Sequence, residues 1–194
     1  MKEQYGDVVV TYPGNFVAQC EIKRPPNNFF DHQLICDLAD CFEDLDNNPD
    51  CRAIVLCSEG KHFCAGANFG SDSNRASTQP KSADEPNPLY TEAVRLFRCK
   101  TPIVAAVQGA AVGGGFGLAV MADFRVACPS TRMTANFVKL GFTPGFGLTH
   151  TLARLIGVQK ANLLFMTGRR INGETAAEWG LADVFTDDDN VRNA

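Results

Sequence analysis

Two short segments made almost entirely of small residues have the composition of a backbone anion-binding site. Residues 63–68 read Phe-Cys-Ala-Gly-Ala-Asn, and residues 113–115 are three consecutive glycines. The second segment stands between an apolar strand pattern and an apolar helix pattern. Its N–H groups would therefore lie at a helix N-terminus, where the helix dipole favours negative charge. Such groups suit an oxyanion as well as a phosphate.

The glycine-rich segment matches neither of the common phosphate-binding motifs. No Gly-Lys-Ser or Gly-Lys-Thr is present for a P-loop, and Leu118 and Val120 occupy the closing positions of a dinucleotide-binding G-x-G-x-x-G motif. A tightly packed turn would explain the glycines alone equally well. If N–H groups of both segments converged on one point, they would form an oxyanion hole, whose single donors can each contribute about 3 to 4 kcal/mol.

The patterns around these segments predict one layered α/β domain over residues 1–194. Residues 53–57 and 103–107 are continuous apolar runs, which is the pattern of strands buried on both faces. Apolar residues recur at helical spacing over residues 34–45, and Asp31 is placed to cap that helix. No repeat or second domain is visible in the chain.

A hairpin and a mobile loop are predicted on either side of the first small-residue segment. Residues 8–22 form two β-rich runs around the turn dipeptide Pro13-Gly14. Residues 70–88 are polar and rich in Ser, Pro and Asn, which predicts a mobile surface loop within the domain. Loops of this kind often cover ligands. The helix after the three glycines is expected to start near Phe116.

Composition argues against several classes of function. The net charge is -4 and the pI is about 5.3, and the 18 Lys and Arg residues are scattered, so no nucleic-acid partner is expected. The eight cysteines form no C-x-x-C pair and have no neighbouring His at ligand spacing, which predicts reduced thiols and no metal. No signal peptide or long apolar run is present, so the expected location is cytoplasmic, without membrane contact.

Several separated motifs resemble, in the right order, those of the crotonase (enoyl-CoA hydratase/isomerase) superfamily. The resemblance covers essentially the whole chain, and agreement at so many separate positions is specific. The matching segments are residues 24–28, 61–68, 102–115, 122–127, 140–145 and 177–183. Two of them, residues 61–68 and 102–115, contain the two small-residue runs.

The resemblance implies a ββα-superhelix core of the ClpP/crotonase type and an acyl-CoA substrate. It further implies fatty acid metabolism, a homotrimer or dimer of trimers, and no cofactor beyond the coenzyme A of the substrate. It places the oxyanion N–H groups on Ala67 and Gly114, where they would hold the thioester carbonyl and stabilise an enolate-like state. The residues that the resemblance assigns to CoA and acyl-chain binding are Ala65, Gly66, Asn68, Phe69, Gly113, Phe137 and Phe142.

The chain departs from the family pattern at the catalytic acids. The two hydratase glutamates fall on Gly117 and Phe137, and the acid that some isomerases use falls on Gly145. General acid–base catalysis needs a titratable group, so the two-glutamate addition of water is not expected. The sequence therefore predicts an acyl-CoA lyase or isomerase with a nonstandard or absent acid and base. The alternative is a catalytically silent acyl-CoA-binding protein.

Other polar residues near the two segments admit two interpretations. Tyr90, Glu92 and Arg95 follow the predicted loop and could reach an acyl group, but their spacing is also that of a solvated helix face. His62 precedes the first segment and is interpreted as structural. Relatives continue beyond the segment around Trp179 into C-terminal helices, which this chain is expected to lack.

Overall fold

The protein, described by a computed structural model over residues 2–68 and 87–194, folds into two β-sheets with helices packed against them. The strands are β1 (Gln4–Tyr5), β2 (Val8–Gly14), β3 (Val17–Ile22), β4 (Ala53–Ser58), β5 (Ile103–Val107), β6 (Ala110–Val112), β7 (Phe124–Ala127), β8 (Arg132–Thr134), β9 (Arg170–Asn172) and β10 (Val184–Phe185). The α-helices are α1 (His32–Asp46), α2 (Pro88–Leu96), α3 (Gly114–Met121), α4 (Leu148–Ile156), α5 (Val158–Thr167) and α6 (Gly173–Glu178). Short 3₁₀ helices span Asn136–Leu140 and Asp188–Asn190.

The larger sheet carries the buried strands that the apolar runs predict. Its order is β1-β2-β3-β4-β5-β7-β10, and the smaller sheet has the order β6-β8-β9. Strands β3, β4, β5 and β7 pair in parallel. Because parallel strands end at the same edge of a sheet, the segments that follow β4 and β5 leave from one edge. The fold is mixed α/β, as the sequence predicts.

The predicted hairpin forms, but its turn lies two residues later than expected. Gly14 pairs with Val17, so Asn15 and Phe16 make a two-residue turn with φ of 55° and 63°. Positive φ at both positions is the type I′ geometry that matches the twist of the flanking strands. A register irregularity between Thr11 and Gly14 lets the Pro13-Gly14 dipeptide remain in the strand.

Helix α1 forms where the apolar spacing predicts it. The Asp31 carboxylate accepts a hydrogen bond from the Leu34 N–H at 2.9 Å, which is the expected N-cap. Helix α2 begins at Pro88, and the side chain of Asn87 caps it. The loop prediction therefore extends two residues too far, because a capping Asn followed by Pro starts a helix. Its remaining residues, 70–86, lie outside the described part of the chain.

Helix α3 begins at Gly114 rather than near Phe116, so two of the three glycines form its first turn. Every residue from 114 to 120 is buried. A helix that is apolar on all sides belongs in a core, and α3 is enclosed on every face. None of the helices within residues 2–68 and 87–194 is long and apolar enough to cross a membrane.

Candidate functional site

The two small-residue segments lie side by side at the edge of the larger sheet. The Cys64 N–H donates to the Ala110 carbonyl at 3.0 Å, and the Val112 N–H donates to the Cys64 carbonyl at 3.0 Å. This short ladder aligns the first segment with β6, which leads directly into α3. A Cβ atom placed on Gly66 would lie 3.8 Å from the Gly114 nitrogen. The first turn of α3 is therefore in contact with the residue before Ala67.

Two backbone donors at this junction have no acceptor among the residues that the structure describes. The Phe30 N–H donates to the Gly66 carbonyl at 3.1 Å, which holds the chain at Ala67 without using the Ala67 N–H. Gly114 is the first residue of α3, so its N–H has no partner within the helix. Within the described residues, neither the Ala67 nor the Gly114 N–H finds an acceptor.

The three glycines are required by close packing and by one backbone conformation. A Cβ on Gly114 would overlap the Phe30 ring, and a Cβ on Gly115 would overlap the Cys64 carbonyl oxygen. Gly113 has a φ of 56°, in the region that favours glycine, and its N–H donates to the Thr134 carbonyl at 2.9 Å. The glycines therefore let the helix N-terminus approach the first segment closely.

Asn28 holds the turn before Phe30 against the start of the first segment. Its side chain is fully buried and donates to the Glu59 carbonyl at 2.8 Å and to the His62 carbonyl at 2.6 Å. Its amide oxygen accepts from the Arg24 N–H at 2.9 Å. Asn28 belongs to the segment at residues 24–28, but the sequence alone did not reveal this positioning role.

His62 is structural, in agreement with the sequence-based interpretation. Its Nδ1 accepts a hydrogen bond from the Ala110 N–H at 3.1 Å, so its proton is on Nε2 in this arrangement. Burial lowers the pKa of His62 below its ordinary value of 6.5, and the neighbouring Lys61 charge acts in the same direction. The neutral ring therefore ties the first segment to β6.

Aromatic side chains fill the space beside Gly113, Gly117 and Gly145. A Cβ on Gly117 would lie 2.5 Å from the Phe146 Cβ, and a Cβ on Gly145 would overlap the Tyr90 hydroxyl. The Phe137 Cζ lies 3.8 Å from the position of a Cβ on Gly113. In the part of the chain that the structure describes, the atoms closest to these glycines belong mainly to aromatic rings.

Phe146 is the centre of this aromatic cluster. Its ring centroid lies 5.8 Å from that of Phe30 and 6.2 Å from that of Phe97, both at tilted angles. Tyr90 reaches the same turn, and burial raises its phenol pKa while a backbone hydrogen bond with Phe146 acts in the opposite direction. The Tyr90 hydroxyl therefore remains neutral and protonated at physiological pH.

Cys64 is unsuited to act as a nucleophile. It is fully buried between Phe30 and α3, and burial raises its thiol pKa to about 12. The thiolate, which is the reactive form, is therefore negligible at neutral pH.

The remaining residues assigned by the resemblance are dispersed around the junction. The Ala65 N–H donates to the Asn27 carbonyl at 2.9 Å and is therefore occupied. Asn68 is half-buried directly after Ala67, whereas Phe69 lies outside the described residues. Phe142 is 52% exposed and is joined to Phe137 by a backbone hydrogen bond of 3.0 Å.

One cluster that could hold a metal ion lies within the described ranges. It consists of His32, Cys36 and Glu92, whose ligand atoms all lie within 4.8 Å of one another. His32 and Cys36 are four residues apart on α1, and the sequence-based prediction of no metal overlooked this spacing. The signal was present in the chain, because an i, i+4 pair shares one face of a helix.

Comparison with known proteins identifies the scaffold. The enoyl-CoA hydratase/isomerase family model matches residues 13–194. The Mycobacterium tuberculosis protein named "Probable enoyl-CoA hydratase EchA14" is 34% identical over 188 residues, covering 95% of this chain and 72% of the relative. The 1,2-epoxyphenylacetyl-CoA isomerase of Escherichia coli is 30% identical over 192 residues, with the same coverage of 95% and 72%.

A solved structure has the same architecture. An enoyl-CoA hydratase subunit I from Geobacillus kaustophilus superimposes with a TM-score of 0.85 at 30% identity, covering 98% of this chain and 72% of that one. This chain of 194 residues is thus shorter than these relatives. The observed α/β architecture agrees with that of the solved structure.

Proposed function

The chain belongs to the enoyl-CoA hydratase/isomerase family, and from this premise we propose that it processes an acyl-CoA thioester through an enolate-like intermediate. The Ala67 and Gly114 N–H groups would donate to the thioester carbonyl oxygen. The observation that carries the proposal is that both donors are without an acceptor in the described residues while their segments are in contact.

The environment of these donors favours charge on the bound oxygen. Gly114 lies at the N-terminus of an eight-residue helix, whose dipole stabilises negative charge. Phe30 covers Gly114 and excludes water from one side of the junction. Donors fixed in an apolar setting stabilise a developing oxyanion more strongly than donors in water, because they need no reorganisation.

Hydration by two glutamates is not the reaction that we propose. Gly117, Phe137 and Gly145 stand at the positions to which the family resemblance carries the acids, and Phe146 and Tyr90 occupy the space beside two of them. Reactions that depend mainly on enolate stabilisation fit better. Decarboxylation of a malonyl-type thioester is one such reaction, and isomerisation with a base from elsewhere in the protein is another.

Tyr90 is our candidate for the nonstandard proton donor. Its hydroxyl lies where a Gly145 side chain would begin, next to the turn that packs on α3. Its neutral phenol keeps a proton at physiological pH and could deliver it to the enolate, although the raised pKa also makes it a weaker acid. Tyr90→Phe should lower kcat more than it changes KM for a substrate whose product must be protonated.

Matched proline and alanine substitutions test the donors. Gly114→Ala and Gly114→Pro both place a Cβ against Phe30, but only the proline removes the N–H. We expect Gly114→Pro to lower kcat by about 10²-fold or more relative to Gly114→Ala, the effect typical of a lost oxyanion donor. Assays would use crotonyl-CoA, methylmalonyl-CoA and aryl-enoyl-CoA. Equal turnover by the two variants would contradict the assignment of Gly114.

A silent acyl-CoA-binding protein is the second candidate function, favoured by the absence of acids at Gly117, Phe137 and Gly145. It predicts binding of CoA thioesters without conversion of any substrate in the panel. Calorimetric titration separates the two candidates when it is combined with product analysis. Failure to bind any CoA thioester would eliminate both.

A further inference from the structure

A cluster of metal-ligating side chains lies between α1 and α2, separate from the Ala67–Gly114 junction. His32 and Cys36 come from consecutive turns of α1, and Glu92 comes from α2. All three side chains are partly buried. We propose that His32, Cys36 and Glu92 form a binding site for a transition-metal dication of the Zn²⁺ class.

The distances agree with a tetrahedral ion. The Cys36 sulfur lies 3.7 Å from Nδ1 and 3.8 Å from Nε2 of His32. Around Zn²⁺, with bonds of about 2.0 to 2.3 Å, neighbouring ligand atoms are separated by about 3.5 Å. The three ligand atoms all lie within 4.8 Å of one another, which places the Glu92 carboxylate close to the other two ligands.

The donor types select the class of metal. A thiolate, an imidazole and a carboxylate suit Zn²⁺ and Co²⁺, whereas Mg²⁺ and Ca²⁺ prefer oxygen atoms alone. Three protein ligands leave a fourth tetrahedral position for water or another small ligand, as in zinc sites that are not purely structural. His32 and Cys36 provide a preformed two-point chelate, because residues four apart on a helix face the same side.

The charges around the cluster favour a cation despite the nearby Arg95. One oxygen of Glu92 accepts from Arg95 at 2.6 Å, and Arg95 also contacts Asp40 and Glu43 at 2.7 Å each. Arg95 would therefore keep two carboxylates if Glu92 turned toward a metal. Within the described residues, the second Glu92 oxygen has no hydrogen-bond partner and is available as a ligand.

The thiol must lose its proton when the metal binds. Each bound ion would release this proton to the solvent. The metal would also link α1 to α2. Phe30, which precedes α1, and Tyr90, which lies in α2, both belong to the aromatic cluster.

The experiment titrates chelator-treated, untagged protein under a non-thiol reductant with Zn²⁺ and with Co²⁺. We expect one ion per chain, a thiolate-to-Co²⁺ charge-transfer band and a higher Tm in the presence of Zn²⁺. The variants are His32→Ala, Cys36→Ser and Glu92→Gln, each checked for folding by circular dichroism. His32→Ala and Cys36→Ser should each weaken binding at least about tenfold, and Cys36→Ser should abolish the band.

Control variants preserve the cluster but remove the same residue types elsewhere. Cys99→Ser changes another partly buried thiol, and His150→Ala changes an exposed imidazole on α4. Both should bind Zn²⁺ like the unmodified protein. No binding by the unmodified protein, or unchanged binding by the His32 and Cys36 variants, would overturn the proposal. None of these readouts depends on turnover of an acyl-CoA.

Discussion

Gly117 and Phe146 lie so close together that a single methyl group on the glycine should destabilise the protein. A Cβ on Gly117 would lie 2.5 Å from the Phe146 Cβ and 2.9 Å from its Cγ. Phe146 is only 3% exposed, so its ring cannot move into solvent without losing its packing. This contact gives the physical reason why the position cannot simply accept an acidic side chain.

The sign of the change in the free energy of unfolding shows whether the contact with Phe146 or the higher helix propensity of alanine dominates in Gly117→Ala. Replacing glycine by alanine inside a helix ordinarily stabilises a protein by about 1 kcal/mol. Overpacking a filled core costs about 1 to 3 kcal/mol. For Gly117→Ala we therefore expect a net decrease of about 1 kcal/mol in the free energy of unfolding.

A double-mutant cycle with Phe146→Gly isolates this contact. Phe146 has a φ of 54°, which glycine adopts without strain, and the substitution removes both contacting atoms. In that background Gly117→Ala should stabilise by about 1 kcal/mol, which makes the coupling energy about 2 kcal/mol. Because loss of the ring costs about 3 to 5 kcal/mol, all variants are measured in the same stabilising osmolyte.

Urea unfolding provides the measurement. It is followed by circular dichroism and by the fluorescence of Trp179, the single tryptophan of the chain. Coincident transitions from both probes would establish two-state behaviour. The reasoning is refuted if Gly117→Ala stabilises the unmodified protein as much as it stabilises the Phe146→Gly background.

Three further predictions concern the scaffold. Burial lowers the pKa of His62 in the folded protein. The stability that the neutral ring contributes should therefore be present above pH 6.5 and be lost as the pH falls through the lowered pKa. In urea titrations, His62→Gln should remove this pH dependence. Asn28→Ala should cost about 2 to 3 kcal/mol in chemical unfolding, because the Glu59 carbonyl and the Arg24 N–H lose their Asn28 partner and the His62 carbonyl keeps only the Ser58 hydroxyl as a donor. Asp31→Ala should cost about 1 kcal/mol in the same assay, and Asp31→Asn, which keeps the cap but not the ion pair with Arg24, should cost less.

Local patterns predict the larger elements well because their signals lie within a few residues. The apolar spacing and Asp31 cap predict α1, and the apolar runs predict β4 and β5. The small sheet of β6, β8 and β9 was missed, because strands of three residues have no measurable periodicity. The hairpin turn was misplaced because the irregularity after Thr11, a tertiary feature, keeps Pro13 in the strand.

In the candidate site, too, the sequence predicts the features that are contiguous in the chain and not those that depend on contacts between distant segments. The two small-residue segments could be recognised from composition and family resemblance, since each is contiguous in the chain. The contacts of Phe146 with Gly117 and of Tyr90 with Gly145 join distant segments, so no local pattern reveals them. His32 and Cys36 were visible as an i, i+4 pair, but only the packing of α2 on α1 adds the third ligand.

The most direct test of the oxyanion assignment is the carbonyl stretch of a bound thioester. Difference infrared spectroscopy with an acyl-CoA labelled with ¹³C at the carbonyl would compare the unmodified protein, Gly114→Ala, Gly114→Pro and Ala67→Pro. We predict a lower carbonyl frequency on binding to the first two proteins, because two N–H donors polarise the bond, and partial loss of that shift in each proline variant. A bound thioester with the frequency found in water, or the same shift in all four proteins, would contradict the assignment of Ala67 and Gly114.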